Sequence, residues 1–302
     1  MSSYKNSFIL FVSLLCSLSA VAQDKIADEK QELTKKGRPL TIGTFKSTRI
    51  INMHTVENCG KKTLDFRISH RFGPINSGGY NLFGLDGGAS IRIALEYSFD
   101  NRLQIGIGRS SVLKMNDGFI KYRLLRQTDD GHVLFSLTPF AGIYYTAQKD
   151  IYSSENGFNK YKNPSSRLSY VMQLMIARKF SNHFSLQVTP FVVHYNLVDS
   201  ISDLNDMFGV SAGARYRITR SFSVTGEYSY RINKYSNSTY HNSMGLGFEI
   251  ETSGHVFQIV FTNSYGLAES QFLPYTTQKW GNAGIRLGFN LSRAFVLGKI
   301  AE

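Results

Sequence analysis

The residues with most chemistry to offer are charged and recur at every second position. Arg67, Arg71, Arg92, Lys121, Arg123, Arg167, Lys179, Arg215, Arg217, Arg231 and Arg286 share one phase of an alternating pattern with Asp65, Glu96, Glu227, Glu249 and Glu251. Rings of Arg and Lys around a water-filled path favour anions. In a dry interior the same groups must pair instead, as Arg67, Arg92 and Arg215 would with Asp65, Glu96 and Glu249. Glycines share that phase, among them Gly106, Gly108, Gly213, Gly245, Gly247 and Gly288. Gly weakens a strand and marks room or close approach. One-sided glycine therefore predicts space, either for solute or for an inserted piece of chain. The candidate insert is residues 43–57, where Ile50, Ile51, Met53 and Val56 are apolar enough to need burial. As a plug, it would bring Arg49, His54 and Glu57 to the interior charges; a strand or loop outside the mouth is the alternative.

Motifs for enzymatic chemistry are weak. His241-Asn242-Ser243-Met244-Gly245 approaches the His-x-Ser-Asn-Gly signature of lipase barrels, whose His and Ser face lipid. Here Met244 replaces Asn, and Met244, Leu246 and Phe248 make the even phase the oily one, so His241 and Ser243 point inward. Asp199, Asp203 and Asp206 near His194 share one connection, as acidic residues commonly do in loops. The seven histidines are scattered, with no metal-type spacing, and no HExxH, P-loop or dinucleotide fingerprint appears. No cofactor or metal is expected. The positive charge is spread over both faces of the pattern, unlike a nucleic-acid footprint.

These phases require strands. From Thr63 onward about ten residues alternate apolar and polar, a turn follows, and the unit recurs twelve times. Leu64, Phe66 and Ile68 oppose Asp65, Arg67 and Ser69; Ile91, Ile93 and Leu95 oppose Arg92, Ala94 and Glu96; Leu287, Phe289 and Leu291 oppose Arg286, Gly288 and Asn290. Such segments are individually weak and collectively strong signs of a transmembrane barrel. A soluble sandwich also alternates. Two further patterns favour lipid. Connections alternate short and long, as short periplasmic turns and long external loops do. Aromatics also fall into two bands: Tyr97, Phe135, Phe184, Tyr216, Phe257 and Phe295 at one rim, Tyr145, Tyr170 and Tyr230 at the other. The expected architecture is all-β, a closed antiparallel transmembrane barrel of about twelve strands with both termini periplasmic.

The chain has 302 residues and a formal charge of +12, with 19% charged and 13% aromatic residues. That aromatic content excludes disorder over most of the length. No apolar run past the N-terminus reaches the roughly 18 residues of a spanning helix, and two cysteines, Cys16 and Cys59, make no disulfide framework. Lys5, the apolar run Phe8–Leu18 and Ala20-Val21-Ala22 form a secretory signal over residues 1–22. Residues 23–62 are then a periplasmic lead-in with the possible plug, and 63–298 the barrel. Asn282-x-Gly284-x-x-Leu287-x-Phe289 fits an insertion signal on the last strand, which makes the barrel-insertion machinery and outer-membrane lipid the expected partners.

Several stretches resemble a family of bacterial outer-membrane barrels of unknown function, typical of Bacteroidota: Thr48–Glu57, Leu64–Gly73, Leu82–Asp86, Ser166–Ser181, Glu251–Ser264 and Leu287–Arg293. The resemblance runs from about Thr44 to Leu297. It implies an outer-membrane barrel and carries no activity or catalytic residue. The expectation is a porin-like channel or transporter for small solutes, anions included. The alternative is a non-conducting barrel that binds at the surface or acts as a scaffold; an outer-membrane lipase is a minor one. The external aromatics Tyr80, Tyr152, Phe158, Tyr161, Tyr235, Tyr240, Phe272, Tyr275 and Trp280 suit loop packing, or stacking on glycans.

Overall fold

The computed structural model describes residues 37–149, 161, 163–198, 203–233, 239–252 and 254–297. The expected signal sequence lies outside the described residues. Twelve strands close on themselves: β1 (Thr63–Pro74), β2 (Ser90–Ser98), β3 (Leu103–Ser110), β4 (Met115–Tyr122), β5 (Ser136–Thr146), β6 (Leu168–Lys179), β7 (Phe184–Tyr195), β8 (Asp206–Arg217), β9 (Phe222–Arg231), β10 (Met244–Thr252), β11 (His255–Thr262) and β12 (Arg286–Val296). Each pairs antiparallel with its sequence neighbours, and β1 pairs with β12, from Leu64 opposite Phe295 to Arg71 opposite Gly288. Closure leaves no edge, which hydrocarbon demands because an unpaired backbone group there costs several kcal/mol.

The pleat sorts the sequence by parity, and the sorting is inverted relative to a water-soluble sheet. On β1, Asp65, Arg67, Ser69 and Arg71 are buried, while Leu64, Phe66 and Ile68 are half-exposed. Mid-strand Ile107 and Ile93 keep 64% and 46% of their surface open, while Arg67 keeps 1%. Leaving a large aliphatic side chain in water forfeits roughly 1.5–3 kcal/mol. An all-round belt of such side chains is stable only where lipid solvates it. His70 interrupts the oily face of β1, covered by Phe72 and stacked at 5.1 Å on Phe289 of β12.

The alternation of short and long links breaks at two successive links. The connections 99–102, 180–183 and 218–221 are tight turns at one end, but β4–β5 at that same end spans 123–135. At the other end, β3–β4 needs only 111–114, with Leu113 and Lys114 in left-handed backbone. The long β4–β5 link has a structural task. It holds the N-terminal lead-in against the barrel rim, through Thr41 N–H to the Gln127 carbonyl (2.9 Å) and Asp129 N–H to the Pro39 carbonyl (2.9 Å). Below, the end with the tight turns is the turn end, and the end with the β5–β6, β9–β10 and β11–β12 connections is the loop end.

Candidate functional site in the barrel lumen

Residues 44–59 enter the lumen as a narrow hairpin. Ile50 N–H donates to the Met53 carbonyl (2.8 Å) and Thr55 N–H to the Thr48 carbonyl (2.9 Å). The tip then has donors and acceptors with no strand beside them, and wall side chains satisfy them. Glu227 of β9 accepts from the N–H groups of Ile51, Asn52 and Met53 at 3.0–3.1 Å. Gln258 of β11 donates to the Ile50 carbonyl, and Asn290 of β12 to that of Ile51. Gln187 of β7 accepts from Val56 N–H and donates to the His54 carbonyl. Lys121 of β4 donates to the carbonyls of Thr55 and Glu57. Cys59 N–H reaches Gln104 of β3 at 3.1 Å. A segment that bonds strands on all sides of a barrel lies on its axis.

The glycines make this fit. A Cβ on Gly213 of β8 would stand 2.2 Å from Ile50 Cδ1, and one on Gly245 of β10 2.9 Å from Ile51 Cδ1. Gly106, Gly108 and Gly288 leave room instead for Phe119, Arg92 and Arg71, neighbouring inward side chains. The one-sided glycine is thus room for protein, filled by the insert and by large wall residues.

A second insert comes from the opposite end, out of the β11–β12 connection. Its short helix α1 (Glu269–Phe272) is wholly buried, and Ala268, Phe272 and Leu273 have no open surface. Phe272, expected among the external aromatics, lies inside because the connection folds inward and must seat its apolar side chains away from water. Glu269 is where the inserts meet. It accepts from Arg49 Nη1 and from Tyr144 Oη of β5 (2.7 Å), and His54 Nε2 stands 3.4 Å away. Arg49 Nη1 also donates to the Asn52 carbonyl. Behind it, Glu96 of β2 accepts from Thr48 (2.9 Å) and Gln104 (2.7 Å), with the guanidinium groups of Arg49 and Arg67 each 3.9 Å away.

The remaining interior charges are engaged pair by pair. Arg67 donates to Ser47, Thr48 and Asp65, and Arg71 to Asn52 and Asn290. Arg92 pairs with Asp117 of β4, and Arg215 with Glu249 at 3.1 Å. Arg123 meets Glu57 at 3.1 Å and Glu251 meets Lys46, both at the turn end. Lys179 donates to the Ile42 carbonyl, and Arg217 sits half-buried at the same rim. Arg231 caps the carbonyls of Tyr240 and Pro274, and Arg286 bonds the Phe72 carbonyl beneath Tyr265. Arg167 departs from expectation. It falls in the turn before β6, not on its inward face, and there it donates to the carbonyls of Thr146 and Gln148 and covers Tyr161 at 4.3 Å. Two further acids lie inside, Asp117 and Glu269. Asp117 follows the same parity as Lys121 and was legible; Glu269 lies in a connection with no period to reveal it. With both counted, nine buried bases face six buried inward acids among the described residues, so most of the interior positive charge is balanced.

The motifs weighed for enzymatic chemistry have other surroundings. His241 is tied through its backbone to Thr276, and Ser243 is buried. His194 Nδ1 lies 2.7 Å from Asp206, Asp203 stands in the preceding link, and Asp199 lies outside the described residues. At the turn end, burial and the Glu96 carboxylate push the Cys59 thiol up to about 11. In the β2–β3 turn, N–H donors from Leu103 and Arg102 hold Asp100 below its ordinary range.

Two cavities approach the meeting point of the inserts. One of about 280 Å³ opens at the turn end beside Lys46, Thr48, Asp65, Arg67 and Glu251. One of about 320 Å³ opens at the loop end beside Met115, Tyr195, Gln271 and Tyr275. Thr48, Glu96, Arg49 and Glu269, each bonded or in ionic contact with the next, lie between them.

The family model for the membrane bound beta barrel domain, DUF5777, matches residues 45–295. The chain belongs to this family. The match starts within the N-terminal insert and ends in β12, so insert and wall fall in one domain. No curated protein matches the chain. Among solved structures, the chain is similar to a KdgM porin at 9% identity and a TM-score of 0.45, covering 78% of this chain and 99% of that one. A KdgM porin in complex with disordered oligogalacturonate gives 10% and 0.45, covering 77% and 99%. A Rhodopseudomonas blastica porin triple mutant gives 12% and 0.31, covering 68% and 55%.

Proposed function

We propose that this protein is a porin-like barrel of the bacterial outer membrane that passes small solutes and is closed in this conformation by its two inserts. The turn end faces the periplasm and holds both termini; the loops face outward. The protein acts without enzymatic chemistry, as a conduit with lipid around it. One observation carries this reading: the lumen is filled by two separate segments that enter from opposite ends and meet through a buried ion pair, Arg49 and Glu269. A barrel meant only as a scaffold gains more from one continuous apolar filling, because every buried polar group needs a partner. Here the filling is hydrogen-bonded, divided, and flanked by a cavity on each side.

Planar-bilayer recording tests this. The full chain should conduct weakly, and a chain lacking residues 44–58 should conduct steadily. Breaking the contact with Arg49→Ala should give frequent opening, since it removes the cation that two buried carboxylates share. Anion preference should be mild and should fall in Arg217→Glu, which reverses a charge at the turn-end rim. A folded deletion variant that stays silent would support the scaffold reading instead.

A further inference from the structure

We infer that the loop-end cavity is a binding site for an uncharged carbohydrate of one or two rings, which names the solute class of the conduit proposed above and rests on that reading for its route inward. The walls are aromatic and angular. Tyr275 meets Tyr195 at 5.3 Å and 59°, and Tyr240 at 5.1 Å and 70°. Across the opening, Tyr161 lies under the Arg167 guanidinium at 4.3 Å. Tyrosine presents an apolar face with a polar tip, the combination a sugar ring requires, with C–H groups on its faces and hydroxyls on its rim. Among these three paired tyrosines none of the contacts is parallel, so they make no slot for a flat aromatic ligand, whereas a puckered ring can lie against two inclined faces. Gln148, Ser166, Ser169 and Thr277 add amide and hydroxyl groups to the lining.

Charge narrows the class. Among the described residues the lining contains no carboxylate and one cation, Arg167, which is already committed to the carbonyls of Thr146 and Gln148 and to the face of Tyr161. A cation finds no counter-charge among these residues, and an anion finds one guanidinium whose Nη1 and face are already occupied. The turn-end cavity is the opposite, with Lys46, Asp65, Arg67 and Glu251 along it and no tyrosine among the described residues. A volume of about 320 Å³ is at the lower end of ligand-sized sites and fits one or two rings rather than a long chain. The floor is the second insert, where Gln271 follows Glu269 by two residues, so a bound sugar would rest directly above the Arg49 contact.

Saturation-transfer NMR on the full chain, held in a sugar-free amine-oxide detergent, tests the assignment with cellobiose, maltose, N,N′-diacetylchitobiose, glucuronic acid and indole as probes. At least one of the three neutral disaccharides should receive saturation, with glucuronic acid and indole weaker. Tyr275→Ala should reduce the signal at least tenfold. Tyr275 also packs on the core, so Tyr161→Ala, in the loop, decides the matter if Tyr275→Ala fails to fold. No signal from any neutral disaccharide, stronger saturation of indole or glucuronic acid, or undiminished binding in folded Tyr161→Ala would overturn the proposal. Steady conductance by the deletion variant alongside such a failure would leave the conduit standing and remove only the carbohydrate.

Discussion

The two inserts fill one lumen by different means. The N-terminal hairpin is held mainly through its main chain, with Glu227, Gln258, Asn290, Gln187 and Lys121 reaching inward to its N–H and carbonyl groups. The loop insert is held by what it buries: Ala268, Phe272 and Leu273 seal against the interior wall, and its own helical turn satisfies its backbone. An interaction through the main chain depends on the wall residues and tolerates change in the insert. An interaction through apolar side chains depends on the insert itself. The first is directional and fails when one acceptor is lost. The second is graded and fails by loosening.

The largest expected effect separates them. Glu227→Ala leaves three buried N–H groups without an acceptor, at about 1–3 kcal/mol each. The hairpin should leave the lumen, and limited trypsin digestion should then cut at Lys46 and Arg49. An unchanged digestion pattern would mean that side-chain seating at Gly213 and Gly245 holds the hairpin instead. Phe272→Ala should cost about 3–5 kcal/mol and loosen only the loop insert, seen as loss of slow amide exchange over 266–275 with the hairpin still protected. Exchange lost in both segments together would show that they fold as one unit through Arg49 and Glu269.

Cys59 offers a quieter report on the hairpin alone. With its thiol pushed up to about 11, little thiolate exists near neutrality, and the thiolate is the reacting species. In a Cys16→Ser chain, alkylation should be slow at pH 7.5 and quicken steadily as pH rises toward 11. In Glu227→Ala it should proceed at an ordinary exposed-thiol rate at pH 7.5; equal rates in both chains would place the release elsewhere than at Cys59. The smallest effect belongs to the wall, away from both inserts. Asp100 accepts from Arg102 and Leu103 N–H groups at 2.7 Å each, which lowers its pKa in the folded state. Its contribution is therefore complete above the unfolded carboxylate value and fades as pH falls through the folded one. Asp100→Ala should abolish that acid-side decline in the melting point while leaving the neutral melting point within about 2 °C, since the turn is exposed and the bonds are local. A large loss at neutral pH would give the turn a structural weight that this geometry does not support.

The wall could be read from the chain because a strand in lipid has one rule with period two, and each side chain obeys it alone. Leu64 and Asp65, or Ile93 and Arg92, declare their faces without knowledge of any neighbour. The interior could be read only in part. Parity places Arg92 inward, yet its partner is Asp117 rather than Glu96, because register and rotamer choose among acids of the same face. Arg167 fell outside the pattern because β6 begins one residue later, and Phe272 and Glu269 could not be placed at all, since an irregular connection has no period. The β4–β5 link, expected to be short from the alternation of links, is long, and its contact with residues 39–41 explains it, a relation across the chain.

By itself the sequence determined that the chain is a membrane-spanning barrel with an oily outside and a charged, glycine-rich inside. That information is local, written by alternation and by the cost of placing either face in the wrong solvent. Only the tertiary structure decided what occupies the inside. Whether Gly213 faces water or Ile50, and whether Arg49 meets Glu96 alone or Glu269 as well, depends on two segments more than two hundred residues apart arriving at one axis. No spacing along a chain records such a meeting; it follows from closure of the sheet and from the need of every buried polar group for a partner.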